Sequence, residues 1–324
     1  MTVKKRFGIS LDGADAPHLS SALVTEADRA GATSVWIASH LFHREPIACA
    51  AMSLAASRRT GIVLMAMSPY TVHPVYATMA AATLDEYFPG RVQLCFGAGA
   101  PRDLEAVGLS AEQPVVALRE TIAISRALLA GETVSYVGRR FSVSGRRLAG
   151  GARRLRIWLA ASGPHTLELA GAAADGALIS AATSPEFIRS SLEHVRRGER
   201  RTGREVQKAA LVFCSVDDNE RAARDRLRRP IAYILRGQHH ARNLELAGTQ
   251  LDQAALARAF AAEDWTRVES LVTDDILRRH TAGGTPKQFA AALSAYREVG
   301  LDEVIVYGIR DREQMKNVLA VMRD

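Results

Sequence analysis

The chain has 324 residues, of which 48% are hydrophobic and 24% charged, a composition typical of a globular protein and not of a disordered or fibrous one. No apolar stretch approaches the roughly 18 residues of a transmembrane helix. The three widely spaced cysteines, without a CxxC pair, fit a reduced cytoplasm and predict no metal centre. The net charge of +7 comes from arginines interleaved with acids, with no aromatic residues among them to stack bases. We therefore expect one cytoplasmic domain, residues 1–324, that binds neither nucleic acid nor a membrane.

The first half of the chain alternates strands with helices. Residues 61–67 and 91–97 are apolar throughout, which predicts strands covered on both faces, and residues 74–84 between them have helical spacing. Strand, helix and strand at this length form a βαβ unit with parallel strands. The predicted strands of this half are 6–11, 34–38, 61–67 and 91–97, and the predicted helices are 18–30, 46–57, 74–84 and 114–130.

The second half begins with two alternating runs joined around Gly138, which predict a β-hairpin on the outside of the fold. The strand–helix alternation then resumes, except that residues 218–283 show only helical patterns and no strand. The predicted strands of this half are 155–160, 176–181, 208–216 and 303–308, and the predicted helices include 164–173, 185–201 and one capped by Thr285 with Pro286 at its first position.

Eight strand–helix repeats, with no GxGxxG after the first strand, favour a closed (β/α)8 TIM barrel over an open doubly wound sheet. We expect the barrel to carry an outer β-hairpin and a helical insertion before its last strand. Ligands of such barrels bind at the carboxyl ends of the strands. The segments predicted at those ends are SPYTVHP, GAGAPR and ASGP, and each is either an ordinary tight turn or part of a binding site.

These residues resemble the bacterial-luciferase-like oxidoreductases, and most of all the branch that contains methylenetetrahydromethanopterin reductase. The resemblance covers nearly the whole chain and rests on three motifs: SPYTVHP followed by ATLDEYFPGRVQLCFGAGAP, IWLAASGPHTLELAGAAADGALISAA, and TPKQF with VGLDEVIVYG near the end. It implies a barrel that binds the deazaflavin coenzyme F420 and has a non-proline cis peptide at Met65–Ala66. The implied coenzyme-binding residues are His40, Met65, Ala66, Ser68, Gly97, Ala98, Gly99, Ala161, Ser162, Gly163 and Pro164.

The resemblance also suggests catalytic residues and a substrate side. His40 closes the second strand, where a histidine can transfer a proton or polarise the ring, and Ser39 precedes it. The predicted substrate-side residues are Ser10, Asp12, Ala100 and Arg102. Relatives have acids where this chain has Ser10, Ser39 and Ala100, so reduction of a C=C or C=N bond is favoured over oxidation of an alcohol. The nearby Asp12, Arg102 and Asp103 could substitute for these acids in part.

The first hypothesis is therefore an F420-dependent oxidoreductase that exchanges a hydride between the deazaflavin C5 and a small organic substrate. One alternative keeps the fold but binds FMN and acts as a monooxygenase. Another is a barrel that has lost catalysis and only binds. A homodimer is expected, with the apolar helices 46–57 and 74–84 available for an interface, although core burial explains their spacing equally well.

Overall fold

The computed structural model describes residues 6–323. This part of the chain contains eleven strands. They are β1 (Phe7–Leu11), β2 (Ser34–Ala38), β3 (Gly61–Met67), β4 (Val92–Phe96), β5 (Val134–Val137), β6 (Ser142–Arg146), β7 (Arg156–Ala161), β8 (Gly176–Ile179), β9 (Gln207–Val216), β10 (Ala282–Gly284) and β11 (Glu303–Tyr307).

The same residues form fourteen α-helices and one 3-10 turn, Gln238–His240. The helices are α1 (Pro17–Ala30), α2 (Pro46–Ala55), α3 (Pro74–Tyr87), α4 (Pro101–Glu105), α5 (Pro114–Leu129), α6 (Pro164–Ala173), α7 (Pro185–Thr202), α8 (Glu220–Leu235), α9 (Ala241–Leu246), α10 (Gln253–Ala261), α11 (Trp265–Leu271), α12 (Asp274–His280), α13 (Pro286–Glu298) and α14 (Arg312–Arg323). No helix among residues 6–323 is long and apolar enough to cross a bilayer.

The strand order is β9-β11-β1-β2-β3-β4-β7-β8, with β8 also pairing with β9. Eight parallel strands therefore close into the (β/α)8 barrel predicted from the sequence. The predicted hairpin is also present, as the separate antiparallel pair β5–β6. One prediction was wrong: residues 218–283 are not purely helical, because Ala282 begins the short strand β10, which pairs in parallel with Cys214–Val216 of β9. Alanine and glycine carry no strand signal of their own, so this pairing depends on the neighbouring strand.

The described residues divide into two compact units: residues 6–10, 179–192 and 208–323, and residues 11–178 with 193–207. The predicted single domain, 1–324, includes residues 1–5 and 324, which lie outside the described residues, and it stays a prediction. In the second unit, Trp36 and Trp158 are fully buried and meet edge to face with ring centroids 5.1 Å apart. In the first unit, the inserted helices form their own core around Leu227, Ile231 and Val268.

Proline fixes where many helices begin after a strand. Pro74, Pro164 and Pro286 each occupy the first turn of a helix, where the missing N–H leaves no hydrogen bond unmade. Thr285 forms a capping box with Gln288 ahead of Pro286, as the sequence predicted for its cap. Short loops therefore separate each strand end from its helix, and these loops carry the residues of the site.

Candidate active site

Three small residues meet where neighbouring strands end in the second unit. A Cβ atom on Gly97, just after β4, would lie 2.8 Å from the Ala66 Cβ of β3 and 3.4 Å from the Ala160 Cβ of β7. The peptide between Met65 and Ala66 is cis, as the family resemblance implied. The pairing of β3 with β4 shifts register between Leu64 and Met67. The result is a floor of methyl groups and bare backbone on which a flat ring can lie.

The turn beside this floor is fixed by Ser68. Its hydroxyl donates to the Ala98 carbonyl over 2.9 Å and accepts from the Tyr70 N–H. Gly99 has φ +90°, and a Cβ there would stand 3.0 Å from the Ser68 hydroxyl, so both the backbone angle and the space require glycine. Ser68, Ala98 and Gly99 thus hold the loops after β3 and β4 together.

The loop after β7 has the features of an anion site. Ala161 is buried at the strand end, Ser162 is exposed, and Gly163 is the N-cap of α6. Among the described residues no side chain caps this helix, and an added Cβ on Gly163 would meet only the Thr166 hydroxyl within 4 Å. Open N–H groups at a helix start attract phosphate. The residues present therefore fit a flat ring with a phosphate group.

His40 lies beside the floor. The N–H of Ser39 donates to the Met65 carbonyl over 2.5 Å, which ties the end of β2 to β3. The His40 side chain is 44% exposed, and its Nδ1 is 4.0 Å from Oδ2 of Asp103. Desolvation by the surrounding loops and the charge of His43 lower the pKa of His40 below its ordinary value, whereas Asp103 and Asp12 raise it. The net effect keeps His40 neutral at pH 7.

A second histidine orients the loop that carries His40. The Nδ1 atom of His43 lies 2.8 Å from the Asp12 carbonyl, which can only accept, so Nδ1 carries the hydrogen of this bond. Asp12 itself is buried, and its carboxylate accepts from the Ala14 N–H. The rings of His40 and His43 are 5.5 Å apart. Asp12 therefore acts on His40 through its charge and through His43.

The remaining predicted residues have different surroundings. Ser10 is buried, and its hydroxyl has no hydrogen-bond partner within residues 6–323. Ala100 is the N-cap of α4, and Arg102 has no acidic partner in the described part of the chain. Across residues 6–323, no group of three or more His, Cys, Asp or Glu side chains is arranged to hold a metal ion.

The family model of luciferase-like monooxygenases matches residues 3–303. The chain belongs to this family. The 5,10-methylenetetrahydromethanopterin reductase of Methanolobus tindarius is 28% identical over 286 residues, which is 86% of each chain.

Two solved structures of the luciferase-like fold cover nearly the whole chain. One is the coenzyme F420-dependent tetrahydromethanopterin reductase from Methanopyrus kandleri, with a TM-score of 0.90 and 22% identity over 99% of this chain and 98% of that one. The other is an F420-dependent secondary alcohol dehydrogenase in complex with an F420–acetone adduct, with a TM-score of 0.81 and 19% identity over 99% of this chain and all of that one. At 22% and 19% identity, these structural similarities show a shared fold and not a shared activity.

Within this luciferase-like fold, sequence reasoning placed Asp103 near the missing acids as a substitute for them, but it did not place His43 in the site. Asp103, not Arg102, is the α4 residue that approaches His40. His43 contacts Asp12, 31 residues earlier in the chain. One signal was available for Asp103, because an acid in the first turn after GAGAP lies close to the strand ends. For His43 no signal existed beyond its closeness in sequence to His40.

Proposed function

We propose that this chain is an F420-dependent oxidoreductase that exchanges a hydride between the deazaflavin C5 and a small organic substrate. The observation that carries the proposal is the floor formed by Ala66, Gly97 and Ala160, with His40 at its side and the open Gly163 loop in the same unit. The family membership and the names of similar proteins, two of which include F420, support it.

The chain's own residues bind and orient the coenzyme. Ala66, Gly97 and Ala160 would lie against the ring, and the amide groups at the start of α6 would hold the phosphate. When bound, the reduced coenzyme supplies a hydride from C5. Ser68 and Gly99 keep the adjoining turn rigid, which holds the floor in position.

His40 is the proposed acid–base residue. Its imidazole is neutral at pH 7, so it can donate a hydrogen bond to the ring or the substrate and relay the proton that a reduced substrate takes up. Asp103 stands 4.0 Å from it, close enough to favour the protonated form during that relay. Ser39, which precedes His40, would line the substrate side.

For the substrate we propose a compound with an activated C=C or C=N bond. Ser10, Ser39 and Ala100 offer no carboxylate, so no residue at those positions can remove the proton of an alcohol. Ser10 offers a buried hydroxyl without a partner in the described residues, which suits one polar atom of a ligand.

Coenzyme binding tests the proposal. We expect the purified protein to bind F420 in fluorescence titration and to bind FMN far more weakly. Gly163→Glu should lower the F420 affinity by more than about tenfold, because a carboxylate would replace the phosphate at the helix start. Its melting temperature should not change, because only Thr166 lies near the new side chain. The matched control is Ser144→Glu on the hairpin. Tight binding of FMN without F420 would favour the monooxygenase, and binding of neither would favour a non-catalytic barrel.

The reaction class needs a separate assay. The protein is mixed either with reduced F420 and an enone or imine, or with oxidised F420 and a secondary alcohol. In each mixture the absorbance of the coenzyme is followed. We expect turnover with an enone or imine. Turnover of alcohols alone would contradict the proposed bond type while leaving the coenzyme assignment intact.

We also propose a homodimer in the cytoplasm. Helix α2 has no charged residue, and three large side chains of α2 and α3 are exposed: Met52, Tyr76 and Met79 at 62%, 55% and 44%. Light scattering after size exclusion should give twice the chain mass, and the pair Met52→Glu with Met79→Glu should give the monomer. Val137→Glu, at a hairpin residue that is 93% exposed, is the control. A monomeric wild-type protein would refute the dimer.

A further inference from the structure

A groove of about 570 Å³ lies on the surface of the second unit between α5, α6 and the end of α7. Val115, Leu169 and two alanines give it an apolar floor. Its polar lining residues are the charged Arg119, Glu168 and Arg201, together with His165. None of these residues belongs to the proposed active site.

The groove is cationic. Within residues 6–323, Arg119, His165 and Arg201 have no ion-pair partner. The one acid in this lining, Glu168, has its Oε1 3.7 Å from the Arg197 Nη1, which offsets its charge. The flanking sequence 133–167 contains arginines but no aspartate or glutamate. The groove therefore suits a ligand with several negative charges.

The groove starts at the proposed phosphate loop. His165 is the second residue of α6, directly after Gly163 and Pro164, and Glu168, Leu169 and Ala172 continue the lining along the same helix. A ligand whose phosphate lies at the start of α6 can continue along this groove. The inference that follows rests on the proposed function.

We infer that the groove binds the oligoglutamate tail of coenzyme F420. Beyond its phosphate this coenzyme carries a lactyl group and a chain of γ-linked glutamates, in which methylene pairs alternate with carboxylates. The methylenes match the floor of Val115 and Leu169, and the carboxylates match Arg119 and Arg201. FMN ends at its phosphate and would leave the groove empty.

The test compares affinities for three ligands: F420 with several glutamates, its phospholactyl form without glutamates, and the deazaflavin without phosphate. Wild-type protein should bind the glutamylated form about 3- to 30-fold more tightly than the glutamate-free form, the range expected for two or three exposed ion pairs. This advantage should shrink in 0.5 M salt. The double variant Arg119→Glu with Arg201→Glu should lose the advantage and keep its affinity for the glutamate-free form.

The matched control is Arg58→Glu with Arg200→Glu, which changes the net charge equally but lies outside the groove. Equal loss in both double variants would mean a general charge effect and would overturn the inference. So would a wild-type protein that binds both phosphorylated forms equally well. Preferential binding of an acidic peptide or an oligonucleotide, blocked by the double variant but not by glutamylated F420, would identify another occupant. If no deazaflavin binds at all, the proposed function itself has failed.

Discussion

The amino and carboxyl ends of the strands are built differently. At the amino ends, polar side chains are saturated with hydrogen bonds. At the carboxyl ends, several polar side chains have few or none. In a (β/α)8 barrel the first end supports stability and the second carries the chemistry, and the contrast here follows that division.

The amino-end network centres on Asp28 and Arg91. The Asp28 carboxylate accepts from the N–H groups of Arg58, Arg59 and Thr60 over 3.2, 2.8 and 2.8 Å, and from the Thr60 hydroxyl over 2.8 Å. The Arg91 guanidinium donates to the carbonyls of Leu54, Ser57 and Thr60 and to the Ser57 hydroxyl. Loops before β3 and β4 are thereby locked to α1 and α2.

The carboxyl ends leave polar groups available. The Ser10 hydroxyl is buried without a partner in the described residues, His40 is 44% exposed, and the start of α6 has no side-chain cap among residues 6–323. A buried unpaired hydroxyl costs stability, which a ligand can restore. Unsatisfied groups at one end of the strands therefore mark the site better than any single residue does.

The largest expected effect is on the carboxyl end. His40→Gln should lower the rate of hydride exchange by about 10²- to 10⁴-fold, the usual contribution of a general acid–base residue. Its melting temperature should change little, because the one ion-pair contact of the His40 side chain within residues 6–323, with Asp103, spans 4.0 Å. Its affinity for F420 should also change little, because the glutamine amide can still donate a hydrogen bond to the ring. Stopped-flow absorbance of the coenzyme measures the rate.

His43→Gln is the matched control for this variant. It alters a neighbouring ring that faces the Asp12 carbonyl and should reduce the rate by less than tenfold. Comparable losses in both variants would mean that the loop as a whole, and not His40, supports the reaction.

At the amino end the expected effect is on stability and depends on pH. Burial alone would raise the pKa of Asp28, but hydrogen bonds from Thr60, Arg59 and Arg58 outweigh it and lower the pKa to about 2. The ionised form is therefore favoured by folding. About 2 kcal/mol of unfolding free energy should be present above pH 4 and lost as the pH falls towards 2.

Asp28→Asn tests this prediction. The variant should lose about 2 kcal/mol at pH 7 and show a smaller loss between pH 4 and 2 than the wild type does, as measured by urea denaturation. Asp218→Asn, at an exposed position, is the control. Parallel acid profiles in wild type and Asp28→Asn would contradict the assignment.

Much of this architecture could be predicted from the sequence. The eight barrel strands were placed because runs such as 61–67 are apolar on both faces and end at small or proline-rich turns. The proposed phosphate loop could be picked out because Gly163 and Pro164 open a helix after a strand. These features are local in the chain, and local pattern is what a sequence displays.

The paired loops could not be predicted in the same way. The approach of Asp103 to His40 and of His43 to Asp12 joins loops that follow different strands, and nothing in either loop names its partner. Asp28 is a sharper case, because an acid near the end of a helix is disfavoured by the helix dipole. Its four hydrogen bonds come from the loop 58–60, about 30 residues away, and they reverse the local preference.

Two serine substitutions compare the two ends directly. Ser57→Ala, at the amino end, should cost about 1–2 kcal/mol of unfolding free energy, because its hydroxyl accepts from Arg91 and donates to the Ser53 carbonyl. Ser10→Ala should leave stability unchanged or raise it slightly, because its hydroxyl has no partner within residues 6–323. Thermal denaturation of both variants at pH 7 gives the values. A larger loss for Ser10→Ala than for Ser57→Ala would reverse the proposed contrast.

The smallest effect concerns the pH profile. The Asp103 carboxylate raises the pKa of His40, so Asp103→Asn should lower that pKa further. The rate rises with pH if the neutral imidazole is active and falls with pH if the protonated imidazole is active, and either change is centred on the pKa of His40. In both cases the part of the pH–rate profile that reports His40 should therefore move to lower pH. Glu105→Gln, an exposed acid on the same short helix, should leave the profile in place. Movement to higher pH in Asp103→Asn would mean that His40 is not the group titrating, since removing a neighbouring negative charge cannot stabilise its protonated form.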